Sequence, residues 1–582
     1  MPSDAEARKA DLIRKTVAQS KKRLGKNAQN RFAPFLKAYY ANVPPQDIQD
    51  NSPATLFALA HGHWKQSQVR SRRKALIRVF NPDAKKDGWQ CNYTVIEIIN
   101  DDMPFLVDSI TAEINQQNLT VHLVIHPLFA VRRNKKGKIS EILASGEPGS
   151  DGVVESFMHL HITQVSGARK KSIETGLRAV LGDIRTVVRD WPAMNAKMTD
   201  VIDEMETMPR RVPAEDAEEF RAFLRWINDN HFTFLGFREF RLTGSGKLTR
   251  VLVNNKSGLG ILSNPDRTVF KEIRDIQASP SRGNGSDVLL VTKANARSTV
   301  HRPVHMDAIG IKRFDSRGRV IGQHLFVGLF TSAAYSRSPR DIPLLRRRLE
   351  KTMQRAGLPA ESHDAKALAH ILETFPRDEL FQISDDQLFH TSLGIVHLQD
   401  RKRVALFVRE DGFGRFMSCL IYVPRDRYKM ALRRAIQDIL CEAFAGKMAA
   451  HHAEIGASPL ARLHLIIRTK PGKIPPYEVP ALEARLVEAA RSWTDRLSEA
   501  LAERYGEDSV NELLQRYGEA FDAGYRESHD SARAIEDIRE IERLLEDGGI
   551  GRVLYRPPGS PASNIRFKVY HLDTAVPLSD AL

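Results

Sequence analysis

Residues Ile99–Arg133 read "INDDMPFLVDSITAEINQQNLTVHLVIHPLFAVRR", and the fold turns on how this stretch is parsed. The preceding "YTVIEII", Tyr93–Ile99, is β-branched and apolar, the composition of a buried strand. Asp102 and Pro104 then announce a helix. Met103, Val107, Ile110 and Ile114 recur at spacings of four, three and four, which places them on one helical face. Asn118 is the expected stop. "TVHLVIHPLFAVRR" reads as one strand, followed by the basic, glycine-containing loop "NKKGK". "VVESFMHLHITQV" reads as another strand. After it Ile173, Leu177, Val180, Ile184 and Val187 repeat the helical spacing. Strand, helix, strand, strand, helix is the ferredoxin-like βαββαβ series with one strand left to find. Asp101 and Asp102 are then expected to be loop and cap groups, with Asp102 accepting from the unpaired N–H groups of the helix start.

The surrounding chain has 582 residues, enough for several domains. Hydrophobic residues at 42 % and charged residues at 27 % describe a globular rather than a disordered chain. Its three cysteines, Cys91, Cys419 and Cys441, follow no zinc or disulfide spacing, which fits a reducing compartment. The charged N-terminus is no secretory signal and no apolar run approaches the ~20 residues of a membrane span, so a cytoplasmic protein without a membrane partner is expected. The net charge of +15 is scattered in short clusters with acidic residues between them, which reads as solvated surface.

The fold class expected is α+β and multidomain, with ferredoxin-like modules, a β-rich middle region and helical linkers. A helical, polar segment occupies 1–75, broken at Pro44–Pro45, and the first module 76–190. A helix and an antiparallel β-rich region fill 191–345, with hairpins at Gly244–Ser245–Gly246 and Asp315–Gly318. A helical linker, 346–400, leads to a second module at 401–505 that echoes the first. Its long charged helices are expected over 479–505 and 528–547, the latter within a linker at 506–548. Residues 549–582 read as the start of a third module, with a helix beginning in "VPLSDAL". "PRD" occurs at Pro339–Asp341, Pro376–Asp378 and Pro424–Asp426, and Asp341 and Asp426 are expected N-caps.

The dinucleotide fingerprint GxGxxG is missing: "GGIGRVL" has Leu554 and "GFGRFM" has Met417 where the third glycine belongs. "GSGKL" lacks the hydroxyl residue of a phosphate loop, and neither HExxH nor GxSxG occurs. Strand alternation puts His159 and His161 on one face, and His122 and His126 on a neighbouring strand. Four imidazoles on a face not covered by helices would be a weak alternative metal site, against the plainer reading of a polar or subunit-contacting surface. "DGFGRFMSCLIY" approaches an RNA-stacking strand pattern, but Arg415 is one residue too many and "DGFG" reads better as a turn, so an RNA-binding protein is only the second alternative reading and nucleic acid is not the expected partner.

"DDMPFLVDSITAEINQQNLTV" resembles the signature of ACT domains, a ligand-sensing family with the βαββαβ fold, in which Asp-x-Pro-Gly-Leu-Leu opens the helix. Asp102, Pro104, Leu106 and Val107 match, and Phe105 replaces the glycine that lets an amino-acid effector approach the backbone. The effector-binding candidates this implies are Asp101, Asp102, Met103, Phe105 and Asn118. More widely, "NDDMPFLVDSI", "HPLFAVRRN", "DNHFTFLGFREFRL", "VHRPVHMDAIGIKRFD", "GLFTSAAYS", "PRDELFQIS" and "GFGRFMSCLIYVPRDRY" together resemble the N-terminal part of the large bacterial NAD-specific glutamate dehydrogenases. That resemblance implies three ACT-like modules, a PAS-like region between them and homo-oligomers. It also implies oxidative deamination of L-glutamate to 2-oxoglutarate and ammonia, with NAD as cofactor of the full-length enzyme. The catalytic region would lie beyond these residues on the remainder of the chain, so no catalytic or NAD-binding residue is expected here. The chain would then be a fragment with a regulatory and assembly role, or alternatively a stand-alone amino-acid sensor.

Overall fold

The computed structural model describes residues 4–71, 73–143, 152–207, 213–243, 250–267, 288–398, 401–456, 458–556, 561 and 564–573. They divide into two units, Met1–Gly357 with Leu372–Asp385, and Leu358–Ile371 with Asp386–Leu582.

The first unit opens with α1 (Asp4–Arg23), α2 (Lys26–Ala41), α3 (Pro45–Ile48) and α4 (Pro53–Ser67). Ser52 caps α4, its hydroxyl accepting from the Thr55 N–H. The segment is less polar than expected. Phe32, Phe35, Leu36, Tyr39 and Tyr40 of α2 are all buried, and Phe35 stacks on Phe129 at 4.6 Å between ring centroids. These helices therefore belong to the core of the sheet that follows.

That sheet contains β1 (Leu76–Phe80), β2 (Tyr93–Asp101), β3 (Val121–Ile125), β4 (Leu128–Arg133), β5 (Ile139–Leu143) and β6 (Val153–Thr163). Its path is β1-β2-β6-β4-β5, with β3 also on β6. The single strand expected over 120–133 is two strands. Pro127 has no N–H for the ladder, and pairing resumes at Leu128 opposite Ser156. The strand left to find comes first rather than last: β1 pairs antiparallel with β2, Val79 opposite Ile96. The module is thus ββαββββα, a ββαββα core with the β4–β5 pair inserted between β3 and β6, and α5 (Leu106–Gln116) and α6 (Gly167–Glu204) lie on one face.

The α6 helix has 38 residues, about 57 Å at 1.5 Å per residue. Ile173, Leu177, Val180, Ile184 and Val187 are buried as their spacing predicts, and the apolar stripe continues through Met194, Met198 and Val201. There is accordingly no break at residue 190. The second half of α6 packs on the next sheet, against β7 (Phe232–Thr243) and β8 (Arg250–Gly260). This sheet runs β8-β7-β11-β10-β9 and is antiparallel, with β9 (Leu289–Arg297), β10 (His305–Phe314) and β11 (Val320–Phe330). Asp315 closes the β10–β11 turn, its Oδ1 accepting from the N–H groups of Arg317 and Arg319, with Gly318 at φ +73°. The connection Gly244–Ser245–Gly246 lies outside the described residues.

The second unit contains β12 (Ala405–Glu410), β13 (Phe416–Pro424), β14 (Lys447–Glu454) and β15 (Leu460–Arg468) in the order β12-β13-β15-β14. With the helices Met430–Ala443 and Val479–Ala489 it is ββαββα, and its strand neighbours match the first module's core β1-β2-β6-β3. Ile436, Leu440 and Leu486 bury against Met417, Cys419, Ile421, Leu463 and Leu465. The long helix expected over 479–505 is two: Ser492 and Asp495 form a capping box that starts a new helix at Trp493. The turn "DGFG" is found where expected, with the Asp411 N–H donating to the Phe416 carbonyl. Neither proposed aspartate cap is found. Asp341 and Asp426 sit in three-residue turns opened by the prolines, and the helices after them begin behind Leu344 and Lys429 without a side-chain cap.

A further helical cluster follows, with Leu497, Leu501, Ala534 and Ile538 at its centre. Its last helix, Ser531–Asp547, carries the two-stranded hairpin β16 (Gly551–Tyr555) and β17 (Arg566–Tyr570). The helix start expected in "VPLSDAL" lies outside the described residues. No helix among the described residues is long and apolar enough to cross a membrane.

Candidate functional site

The strand–helix loop of the first module holds four of the five proposed effector residues. Asp101 ends β2, Asp102 to Pro104 turn, and Phe105 precedes α5 with a left-handed φ of +72°. Only glycine occupies that region freely, so the position has a conformational reason for glycine besides ligand approach. Asp102 does not cap α5. The N-cap is Phe105, without a side-chain acceptor, and Asp102 is exposed with its N–H donating to the Val154 carbonyl. The residue simply lies too early in the turn. Met103 is half-buried beside it. Asn118, at φ +56°, ends α5, about 17 Å away along the eleven-residue helix, and so does not join the other four.

A loop from the β-rich region covers this turn. His301, itself at φ +68°, stacks toward Phe105 with ring centroids 5.0 Å apart. Its N–H donates to Ser109 Oγ at 2.9 Å, and its Nδ1 lies 3.0 Å from Asp108 Oδ2. Contacts within the chain thus use the helix start where an effector would approach.

Asp101 faces inward to an ion cluster. Arg70 pairs with both Asp101 and Glu155, and Arg133 donates to the two Glu155 oxygens at 2.7 Å each. Glu155 is opposite Asp101 in the β2–β6 register, and the Arg70 and Glu155 side chains are 2 % and 1 % exposed. Arg133 also donates to the carbonyls of Ser67 and Gly137. The cluster ties the end of α4, the turn after β4 and the centre of the sheet together.

The histidines divide differently from the expected quartet. His126 hydrogen-bonds Ser156 Oγ at 2.8 Å, and burial lowers its basicity. His122 is exposed, with its ring 4.7 Å from that of Tyr93. His159 and His161 do share a face, their Nε2 atoms 3.1 Å apart. That face is not open, because α2 and α4 cover it. Burial takes both rings down to a pKa of about 3, so each is neutral.

Two residues that sequence reasoning missed complete this buried group, His63 of α4 and Glu97 of β2. Glu97 is opposite His159, and its carboxyl lies 3.5 Å from His159 Nδ1. One ligand atom each from His63, Glu97 and His159 lies within 4.8 Å of the others. Burial lowers His63 to about 4 and raises Glu97 above the usual carboxylate range. The available signal was a lone carboxylate in the apolar strand "YTVIEII", in alternation with Val95 and Ile99.

A second polar cluster lies at the end of the β-rich sheet. Lys293 Nζ contacts Asp307 Oδ1 at 2.7 Å and Asp378 Oδ1 at 3.1 Å, and Tyr335 donates to Asp378 at 2.9 Å. The paired carboxylates hold Lys293 well above the usual lysine range, so it is a fixed cation rather than a base. In the second unit Arg415 is buried against Asp411 at 2.7 Å with Phe413 and Phe416 around it, so the cation of the RNA-like motif is consumed in its own turn.

Two sheets that share a ββαββα core, each with its own helices, define a chain built from ACT-type modules and helical motifs. Residues 35–177 match the family "Glutamate dehydrogenase, ACT1 domain" and 405–494 match "Glutamate dehydrogenase, ACT2 domain". Residues 342–401 and 500–544 match "Glutamate dehydrogenase, helical motif 1" and "helical motif 2". Among curated proteins, the chain is 35 % identical to the NAD-specific glutamate dehydrogenase of Halomonas elongata, over 99 % of this chain and 36 % of the relative. It is 34 % identical to that of Pseudomonas aeruginosa over the same shares, and 28 % identical to that of Mycobacterium tuberculosis over 85 % of this chain and 30 % of the relative. The chain is therefore related to the NAD-specific glutamate dehydrogenases over nearly its whole length, and it spans about a third of the length of these relatives.

Proposed function

We propose that this chain is the regulatory and assembly region of an NAD-dependent glutamate dehydrogenase. The enzyme it serves would convert L-glutamate, NAD and water to 2-oxoglutarate, ammonia and NADH in amino-acid catabolism. The observation that carries the reading is the collinear series of two ACT and two helical-motif matches, with 35 % identity to such an enzyme across 99 % of the chain. The sequence lacks a dinucleotide fingerprint, which supports a catalytic centre outside these residues. The assembly role is favoured over amino-acid sensing at the first module, because Phe105 and the His301 loop use the helix start.

Two measurements test this. Residues 1–582 should show no NAD-linked glutamate oxidation alone, and turnover above a glutamate-free control would overturn the placement of the catalytic centre. Calorimetric titration with glutamate, aspartate and arginine should give no binding heat at the first module. Heat that disappears in Asp102→Ala would instead establish a sensor.

A further inference from the structure

We propose that His63, Glu97 and His159 form a binding site for a divalent transition-metal ion of the zinc type, sealed between the first sheet and its N-terminal helices. The three side chains come from α4, β2 and β6 and are 0 %, 1 % and 0 % exposed. His63 Nε2, Glu97 Oε2 and His159 Nδ1 each lack a hydrogen-bond partner among the described residues. Unpaired buried polar atoms cost about 1–3 kcal/mol each, so three in one place call for a common partner.

The remaining nitrogens are already engaged. His63 Nδ1 lies 2.9 Å from the Tyr39 hydroxyl, and His159 Nε2 lies 3.1 Å from His161 Nε2. When those nitrogens carry the protons, Nε2 of His63 and Nδ1 of His159 are left bare toward Glu97. This is the arrangement by which a hydrogen bond at one ring nitrogen prepares the other for a metal. Other neighbours do not satisfy the group. Arg78 Nη1 approaches Glu97 Oε2 only to 3.7 Å and is engaged by Asp87 at 2.6 Å through Nη2. The Ile98 backbone favours protonated His63, yet Nε2 makes no hydrogen bond.

A proton bridges two of the three atoms and leaves the third without a partner; a cation serves all three. Two imidazoles and a carboxylate suit zinc, with a fourth position for water, and disfavour magnesium and calcium, which take oxygen ligands. The donors, within 4.8 Å of one another, need to draw in by roughly an ångström to meet metal–ligand lengths of about 2.0–2.2 Å. Bound there, the ion would pin α4 to β2 and β6. Because the helices cover the site, loading accompanies folding.

The test uses the full chain expressed in zinc-supplemented medium and purified without chelator. Elemental analysis should give one equivalent of zinc per chain, and growth in cobalt should give the visible d–d absorption of a nitrogen/oxygen site. Glu97→Gln, close in shape, should weaken zinc retention against a chromophoric chelator by roughly 100-fold or more, and His122→Gln, on the exposed part of the sheet, should not. Circular dichroism establishes that each variant is folded. The proposal is overturned if wild-type protein carries no zinc and no cobalt spectrum, a result independent of any variant. It is equally overturned if folded Glu97→Gln retains zinc as tightly as wild type.

Discussion

Replacing Phe105 separates backbone strain from side-chain packing at the turn that opens the first module. Both Phe105→Ala and Phe105→Gly remove the ring, which is half-buried and 5.0 Å from His301. Losing that burial costs about 1 kcal/mol, and losing the ring pair about 0.5–1.5 kcal/mol. The two variants differ in the backbone at φ +72°. A left-handed conformation costs a residue with a Cβ about 1–2 kcal/mol, and glycine avoids this at about 0.5–1 kcal/mol of extra chain entropy. Phe105→Ala should therefore destabilise by about 2 kcal/mol and Phe105→Gly by about 1 kcal/mol, the reverse of their order inside a helix. Urea unfolding followed by tryptophan fluorescence reads this directly, since Trp64 and Trp89 pack in the core between the first sheet and its N-terminal helices. An alanine variant as stable as the glycine variant, or more so, would refute the assignment of strain to Phe105.

Three further outcomes are expected. Glu155→Gln takes the buried counter-charge from Arg70 and Arg133 and leaves Arg70 paired with Asp101 alone, and should cost up to about 3–5 kcal/mol, measured as a lower melting temperature of the first unit; a change no larger than that of a surface variant would contradict the role of the cluster. Burial, with Asp378 adding to it and Lys293 opposing, raises Asp307 to about 6, above its unfolded value of 3.8. The stability it contributes is present below about pH 4 and is lost as pH rises through about 6. Wild type should accordingly lose stability relative to Asp307→Asn across that window, and a flat difference between their melting temperatures would count against it. Asp537 contacts Lys568, Arg533, Tyr525 and Tyr570, so Asp537→Asn should speed amide exchange in β16 and β17 while the helix Ser531–Asp547 keeps most of its protection; uniform exchange in both would show that the hairpin is held elsewhere.

Local periodicity made most elements legible. The spacing of Ile110 and Ile114, or of Ile173 to Val187, is a property of neighbouring residues and survives folding unchanged. Several details depended on distant parts of the chain and could not be read that way. Nothing local to Leu76–Phe80 says that this strand, rather than one after α6, fills the edge beside β2. The cap predicted at Asp102 followed a composition rule, whereas the turn takes its shape from the β2–β6 ladder and the Val154 carbonyl. The histidine pair on β6 was visible by alternation. Its partners were not, because His63 arrives on a helix about a hundred residues earlier and only the aromatic core of α2 and α4 sets it against Glu97. Phe105 was the informative position: it stands where the ACT signature that the sequence resembles has glycine, and the backbone there is left-handed.

The two modules agree beyond their strand order. In the first, the sheet face opposite α5 and α6 is covered by helices that precede the strands, and the family match begins within them at residue 35. In the second, the helix Asp385–Leu398 precedes β12, and a Cβ on its Gly394 would lie 2.7 Å from the Phe407 ring. Helix and strand are therefore in close contact there, on the side away from the core of Met417, Cys419 and Ile421. The repeating unit is then a helical layer followed by a ββαββα core, and its central strands β2, β6 and β13 are buried along nearly their whole length on both faces. A sheet so enclosed offers a partner its edges and helices rather than its faces. In the second module the edge strand β14, with His451 and His452 exposed, is such an edge.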